Sequence, residues 1–292
     1  MHEPISYFQA IVLGVIQGIA EPFPISSLGH SVVLPHLFGW NIHQKAKYFL
    51  VFLVGTHVGT ALMLIAIFIK DWVRIVKGFF RSLGRRRIEQ GDVYARLAWL
   101  LVIGTIPAGI VGLALEKPLR TLFASASAAA AFLIVNGVAL LVFERLRKRP
   151  PNPDDHRGGA EDADVRIARL SWRQAVAVGT AQAAALLPGI SREGFAMGGG
   201  LISGLSNEDA ARYSFLLATP IILAAGLFKL PELLGSAGDG VRGQALVAAL
   251  VAACLTLLAV KFLLRYFKTN RLTAFGIYCI GLGVASLIAF AV

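Results

Sequence analysis

Six apolar stretches of about 20 residues place the strongest constraint on how this chain can fold. They cover residues 48–69, 97–115, 122–143, 208–230, 244–264 and 272–292. A helix needs about 20 mostly apolar residues to cross the hydrocarbon core of a bilayer, so each stretch predicts one transmembrane helix. Hydrophobic residues make up 56% of the 292 residues and charged residues only 15%, which excludes a disordered chain and an ordinary soluble domain. We therefore predict an all-α polytopic membrane protein.

Two further apolar stretches are interrupted and do not predict single spans. Residues 5–38 contain three prolines, and residues 174–205 contain the pair Pro188–Gly189 and a glycine triplet. Each stretch is long enough for two short helices but too short for two spans. Irregular backbone is tolerated at membrane depth only where it is buried in protein or lines a water-filled cavity. We therefore predict two re-entrant helical hairpins.

The basic residues predict the orientation of the chain in the membrane. Loops 70–96 and 144–173 carry 16 of the 28 Lys and Arg residues. Cytoplasmic loops are enriched in Lys and Arg, so both loops and the link 265–271 are expected in the cytoplasm. With six spans, both termini then lie outside, hairpin 5–38 enters from outside and hairpin 174–205 enters from the cytoplasm. Orientation and anionic lipid headgroups account for the net charge of +11, so we expect no nucleic-acid partner.

An internal repeat divides the chain into two halves. Residues 17–29 (QGIAEPFPISSLG) and 182–194 (QAAALLPGISREG) share five identities in thirteen positions, and three spans follow each copy. Because three is odd, the second copy must be inverted relative to the first, and such repeats place a binding site near the bilayer midplane. The expected organisation is a single membrane domain over residues 1–292, with a first inverted repeat at 1–143, a cytoplasmic linker at 144–173 and a second inverted repeat at 174–292.

Polar residues collect at the two helix breaks. The candidates are Gln17, Glu21, Ser26, Ser27 and His30 at the first break and Gly189, Ser191, Arg192 and Glu193 at the second. A carboxylate in an apolar stretch is costly and marks a functional site by default. An arginine matches phosphate oxygens, and glycine lets backbone N–H groups approach an anion. This set suits a phosphate group carried on a lipid tail. Two structural alternatives stay open: Glu21 is a surface residue, or Arg192 simply pairs with Glu193 or Glu21.

The other polar residues of the spans are predicted to be structural. His57 and Asn136 stand alone in apolar spans, which is typical of contacts between helices. Ser206 with Asp209 three residues later predicts a helix N-cap. Arg212 lies near a span end and is expected to extend its charged group to the membrane interface.

The two motifs resemble those of the undecaprenyl-pyrophosphate phosphatase family, also called the bacitracin-resistance protein family. QGIAE with PFPISSLGH is similar to the family's Glu/Gln-x-x-x-Glu and Ser-Ser-x-Gly-His motifs, and PGISREG to its Pro-Gly-x-Ser-Arg-Ser-x-x-Thr motif. The resemblance covers nearly the whole chain. It implies an enzyme of the bacterial cytoplasmic (inner) membrane that removes one phosphate from the C55 isoprenoid pyrophosphate. The product, undecaprenyl phosphate, is the lipid carrier for peptidoglycan and other wall polymers.

The resemblance also implies roles for the candidate residues. The implied catalytic residues are Glu21, Ser27, His30 and Arg192, and the implied substrate-binding residues are Gln17, Ser26, Gly189, Ser191 and Glu193. A divalent cation, Mg²⁺ or Ca²⁺, is implied as cofactor, with Glu21 as its expected ligand. The chain departs from the family pattern, since Leu28, Glu193 and Ala196 stand where a threonine, a serine and a threonine are usual.

The sequence leaves the mechanism open. Ser27 could attack the terminal phosphorus while His30 moves the proton, or His30 or Glu21 could activate water directly. A polyprenyl-phosphate transporter (flippase) is the alternative function, because inverted repeats with broken helices also build secondary transporters. A related reaction on a lipid phosphate is a third hypothesis. The lipid chain length and the oligomeric state, a homodimer included, are not readable from the sequence.

Overall fold

The computed structural model of the protein describes residues 4–115, 125–148 and 159–291, and within these ranges it is all-helical. The described helices are α1 (Tyr7–Ala20), α2 (Ser27–Leu37), α3 (Lys47–Ile67), α4 (Ile69–Arg85), α5 (Val93–Ala114), α6 (Ala126–Leu146), α7 (Ala160–Ala168), α8 (Trp172–Ala183), α9 (Arg192–Ile202), α10 (Asn207–Leu234), α11 (Arg242–Tyr266) and α12 (Thr273–Ala291). The predicted outer link at 116–121, the first residues of the span predicted at 122–143, the middle of the linker at 149–158 and Val292 lie outside the described residues.

The six predicted spans are confirmed as long apolar helices. In the described part of the chain, six helices are long and apolar enough to cross a membrane, namely α3, α5, α6, α10, α11 and α12. Their bounds differ from the sequence predictions by a few residues because caps set the ends: Asp92 starts α5 and Ser125 starts α6 by accepting from a backbone N–H. The chain is therefore a multi-pass membrane protein.

The two interrupted stretches each form two short helices. The chain breaks between α1 and α2 at residues 21–26, and between α8 and α9 at residues 184–191, where it makes one 3₁₀ turn. Prolines lie in both breaks, which is why neither stretch continues as one helix. The entry of the hairpins from opposite sides of the membrane stays a prediction.

The repeat extends beyond the thirteen matched residues to the caps of the helices. Ser6 and Gln9 form a reciprocal capping box at the start of α1, and Ser171 and Gln174, each 165 positions later, form the same box at the start of α8. The predicted cap of α10 by Ser206 is confirmed as well. In the packing, α1 lies against α11 and α8 against α5, while α6 pairs with α12, as expected for two related halves. The exact boundaries of the repeats stay predictions.

The later part of the predicted linker is folded and buries charge. It forms α7, which packs against α5 and α10. Asp164 of α7 is fully buried and accepts from both Nε and Nη2 of Arg212, at 2.8 and 3.2 Å. Arg166 binds Asp209 through two hydrogen bonds of 2.7 Å. Arg212 is buried against a carboxylate from a segment 48 residues away, and its predicted position at the membrane interface stays a prediction.

Small residues let the helices approach closely enough to bring the breaks together. Gly179 of α8 lies against the backbone of Gly104 on α5, and Gly14 of α1, 165 positions before Gly179, lies against Ala248 on α11. Lipid tails are as apolar as the helices, so van der Waals packing between small residues is a main source of helix association in a membrane.

We expect Gly179→Ala to destabilise the protein, because the new Cβ would overlap the carbonyl oxygen of Gly104. Overpacking of this kind costs about 1–3 kcal/mol. The matched control is Gly281→Ala in α12, where nothing lies within 4 Å of the new Cβ. Thermal unfolding in detergent should show a lower midpoint for Gly179→Ala and an unchanged or higher one for Gly281→Ala. Equal midpoints would contradict the close packing of α8 on α5.

Candidate active site

The two helix breaks touch each other inside the protein. A Cβ placed on Gly29 of α2 would lie 2.8 Å from the Cα of Gly189. Gly189 has a φ of +104°, a region that favours glycine, and a Cβ there would overlap the carbonyl oxygen of Ala129 on α6. The two helix breaks are therefore in direct contact, and glycine is required at the point of contact.

Equivalent serines cap the helices that follow the breaks. The hydroxyl of Ser26 accepts from the N–H of Gly29 at 3.2 Å, and the hydroxyl of Ser191 accepts from the N–H of Gly194 at 3.1 Å. Ser26 adopts a φ of 69°, a left-handed conformation that is unfavourable for serine. Backbone strain of this kind persists only where the surroundings enforce it and is typical of functional sites.

Asn136 of α6 joins the two breaks. Its Oδ1 accepts from the N–H of Ser191 at 2.9 Å, and its Nδ2 donates to the carbonyl oxygen of Pro24 at 3.0 Å. The same Nδ2 lies 3.4 Å from the Sγ of Cys279 on α12. The sequence predicts only a helix contact for Asn136, whereas its amide satisfies buried backbone groups of both breaks.

Glu21 is buried at the contact and is surrounded by donors. The Glu21 cluster consists of Glu21, Gln17, Ser27, His57 and Arg192, and the carboxylate at its centre is only 4% exposed. Oε1 of Glu21 accepts from Nη2 of Arg192. Oε2 accepts from the Ser27 hydroxyl and from Nε2 of Gln17 at 3.1 Å, and lies 3.2 Å from Nε2 of His57. The cluster unites residues of both predicted motifs around one carboxylate.

Arg192 lies between two carboxylates. Its Nη2 contacts Glu21 and also lies 3.5 Å from Oε1 of Glu193, a buried residue. Both ion pairs named as structural alternatives in the sequence analysis are thus present. Among the residues that the structure describes, the buried Nε of Arg192 has no hydrogen-bond partner, and the same is true of Oε1 of Gln17. An unpaired guanidinium N–H in an apolar interior is costly, and an anion would satisfy it.

His30 belongs to a neighbouring but separate hydrogen-bonded group. Its Nδ1 lies 2.7 Å from the carbonyl oxygen of Ser26, and its Nε2 lies 2.9 Å from the hydroxyl of Tyr278. Among the described residues, no hydrogen bond joins His30 to Ser27 or to Glu21. Transfer of a proton from Ser27 to His30, one of the open mechanisms, is therefore not supported by a hydrogen bond between the described side chains. Transfer to Glu21 is supported, because the Ser27 hydroxyl donates to that carboxylate.

The sequence does not predict the contacts of two side chains of the site, His57 and Tyr278. The sequence predicts a contact between helices for His57, whereas its Nε2 lies 3.2 Å from Oε2 of Glu21. Its only signal in the sequence is a short polar group in an apolar span, together with Thr56 and Thr60. Tyr278 lies 248 residues from its partner His30, and no local pattern predicts that contact.

Comparison with known proteins identifies the family. A family model described as bacitracin resistance protein BacA matches residues 10–285. The chain belongs to this family. An "Undecaprenyl-diphosphatase" of Mycolicibacterium paratuberculosis is 50% identical over 298 residues, which cover 97% of each chain. An "Undecaprenyl-diphosphatase 2" of Frankia alni is 43% identical over 349 residues, with complete coverage of both chains. An "Undecaprenyl-diphosphatase 1" of Burkholderia pseudomallei is 42% identical over 282 residues, 95% of this chain and 94% of the relative.

The resemblance to the BacA family implies a divalent cation bound by Glu21. The side chains around Glu21 do not fit a metal site that consists of protein ligands alone. Both carboxylate oxygens already face donors, two of which, Arg192 and His57, belong to basic side chains. Within the described residues there is no group of three or more His, Cys, Asp or Glu side chains that could hold a metal ion. Mg²⁺ commonly binds with substrate phosphates and only one or two carboxylates, so the ion would have to arrive with its substrate.

We expect Asn136→Ala to lower the stability of this BacA-family protein. The change leaves the N–H of Ser191 and the carbonyl of Pro24 without partners, and each buried unpaired group costs about 1–3 kcal/mol. The control is Thr180→Ala, because the exposed hydroxyl of Thr180 only donates to a carbonyl of its own helix. Thermal unfolding in detergent should separate the two variants. Indistinguishable midpoints would show that Asn136 does not join the breaks.

Proposed function

We propose that the protein hydrolyses undecaprenyl diphosphate to undecaprenyl phosphate and phosphate, and so recycles the lipid carrier of cell-wall synthesis. The observation that carries this proposal is the Glu21 cluster, in which a serine hydroxyl, a carboxylate and an arginine meet at the junction of two helix breaks. The activity named for the BacA-family relatives supports the choice of substrate. A pyrophosphate group would enter the cluster while its prenyl tail lies along apolar helices.

Arg192 binds the diphosphate in this proposal. Its buried Nε has no hydrogen-bond partner in the described part of the chain, and its Nη2 pairs with carboxylates that an incoming phosphate can replace. A guanidinium presents a planar set of donors that matches phosphate oxygens. Negative charge moves to the leaving oxygen during the reaction, and a fixed cation in an apolar site stabilises that charge strongly.

Ser27 is the nucleophile and Glu21 is its base. The Ser27 hydroxyl donates to Oε2 of Glu21, so the carboxylate can take the proton as Oγ attacks. The bond from Oγ to the terminal phosphorus forms, the bond from that phosphorus to the bridging oxygen breaks, and undecaprenyl phosphate leaves. Water then attacks the phosphorus of the phosphoserine, the bond from that phosphorus to Oγ breaks, the proton held by Glu21 returns to Oγ, and phosphate leaves.

His30 acts as a positioning residue. Its Nδ1 lies within hydrogen-bond distance of the carbonyl oxygen of Ser26, the strained residue directly before Ser27. A ring N–H at this position would hold the backbone that aims the Ser27 hydroxyl at Glu21. Ser191 and Gly189 act in the same way on the second break, where they fix the backbone that carries Arg192.

The setting of the enzyme is the cytoplasmic (inner) membrane of a bacterium. The basic loops at 70–96 and 144–173 support a cytoplasmic location for these segments, with both termini outside. A site at the meeting point of two hairpins then lies near the middle of the bilayer, within reach of a lipid headgroup from the outer face.

Ser27→Ala and Arg192→Ala should each lower phosphate release by about 10²–10⁴-fold, because one removes the nucleophile and the other the fixed cation. The assay uses purified protein with C55 diphosphate in detergent. Ser286→Ala is the matched control, since Ser286 is a buried serine that donates only to a carbonyl of its own helix. Near-normal turnover in Ser27→Ala would show that water, and not the serine, is the nucleophile. Movement of lipid across liposomes without phosphate release would instead support the transporter alternative.

Removal of divalent cations should abolish turnover without destabilising the free protein. The expectation follows because the cation would arrive with the diphosphate, while the described residues offer no metal cluster of their own. Phosphate release is measured with EDTA and after addition of Mg²⁺ or Ca²⁺, and thermal unfolding is measured without substrate. Full activity in EDTA would exclude the cation, and a lower unfolding midpoint in EDTA would indicate a metal site in the free protein.

A further inference from the structure

His57 reaches the Glu21 cluster from outside both helix breaks. It lies on the span α3, one residue after the buried Thr56. Its Nε2 is 3.2 Å from Oε2 of Glu21, and its Nδ1 is 2.8 Å from the carbonyl oxygen of Leu53. The imidazole therefore bridges a backbone carbonyl and the carboxylate at the centre of the site.

The contacts of the ring determine where its protons lie. A carbonyl oxygen can only accept, so Nδ1 of His57 carries a hydrogen. Glu21 is in contact with the guanidinium of Arg192, which favours the ionised carboxylate, and an ionised carboxylate can also only accept. Nε2 of His57 then carries a hydrogen as well. An imidazole that donates from both nitrogens is a cation.

This second cation balances the charges of the site. Arg192 and His57 are positive and Glu21 is negative, so the site has one positive charge to spare for the carboxyl of Glu193, and the four groups sum to zero when Glu193 is ionised. Without the charge of His57, two carboxylates would share one arginine among apolar helices, where uncompensated charge is costly. Such a site would repel a diphosphate, since like charges interact strongly where water is excluded.

Glu193 makes this balance necessary in this particular chain. It stands where the family motif has a serine, so the site contains one carboxylate more than the motif requires. Glu193 is buried, and its Oε1 lies 3.5 Å from the same guanidinium nitrogen that contacts Glu21. We propose that His57 is a positioning residue that holds Glu21 against Ser27 and offsets the charge of Glu193, so that a diphosphate can enter. This inference rests on the proposed diphosphate substrate.

The test is a double-mutant cycle between His57 and Glu193. His57→Gln removes the charge but keeps a side chain that can donate to Glu21, and Glu193→Gln removes the extra carboxylate at nearly constant size. We expect His57→Gln to raise KM for C55 diphosphate by about tenfold or more, as interacting charged neighbours are strongly coupled. The double variant His57→Gln with Glu193→Gln should recover most of this loss. His43→Gln, a change at an exposed histidine in a loop, should leave KM and kcat unchanged.

Three results would overturn the proposal. The first is a KM for His57→Gln equal to that of His43→Gln. The second is a double variant as impaired as His57→Gln alone, which would reduce His57 to a structural contact. The third is a loss in His57→Gln confined to kcat, because the glutamine still donates to Glu21 and removes only the charge, which acts on the binding of the anion.

A binding measurement separates this proposal from the proposed function. Calorimetric titration of each variant with inorganic diphosphate reports the charge balance without any turnover. The expected order of affinity is the same, with His57→Gln weakest and the double variant close to the unaltered protein. If the unaltered protein binds diphosphate in this order but releases no phosphate, the hydrolytic function fails and the role of His57 stands. If phosphate is released but the affinities for diphosphate do not follow this order, the proposed role of His57 is wrong and the proposed hydrolytic function stands.

Discussion

The structure depends on one buried ion pair between residues that lie 171 positions apart, Glu21 and Arg192. Burying two charges costs several kcal/mol per ion, and the cost is recovered only if the geometry is good and further hydrogen bonds satisfy the remaining oxygens. Ser27, Gln17 and His57 provide these contacts around Glu21. The same donors that make the pair tolerable also place a hydroxyl and a cation where a phosphate can react.

The repeat explains how two such distant residues meet. Each half supplies a helix, a break and a second helix capped by its own serine, Ser26 in one and Ser191 in the other. The first half carries the carboxylate and the proposed nucleophile, and the second half carries the arginine. Asn136 and the contact of Gly29 with Gly189 join the two breaks, so neither half contains a complete site.

The balance of charge in the site suits an anionic lipid headgroup. A site with excess positive charge would be unstable among apolar helices when empty, and a site with excess negative charge would repel the substrate. Arg192 is paired with carboxylates, and an anionic headgroup can replace them. This arrangement lets a cation exist among apolar helices and still be available to a diphosphate.

Local patterns in the sequence determined the spans, the two breaks and the cap of α10 by Ser206, because hydropathy, proline and capping residues act over a few positions. The polar residues at the breaks marked Glu21, Ser27 and Arg192 as candidates, and motif similarity implied catalytic roles for them. Only the tertiary structure decided the partners of His57, Tyr278 and Arg212, since one polar residue in an apolar helix carries no information about which distant segment it meets. The same limit applies to His30. The motif allows His30 to take the proton of Ser27, whereas in the structure the Ser27 hydroxyl donates to Glu21.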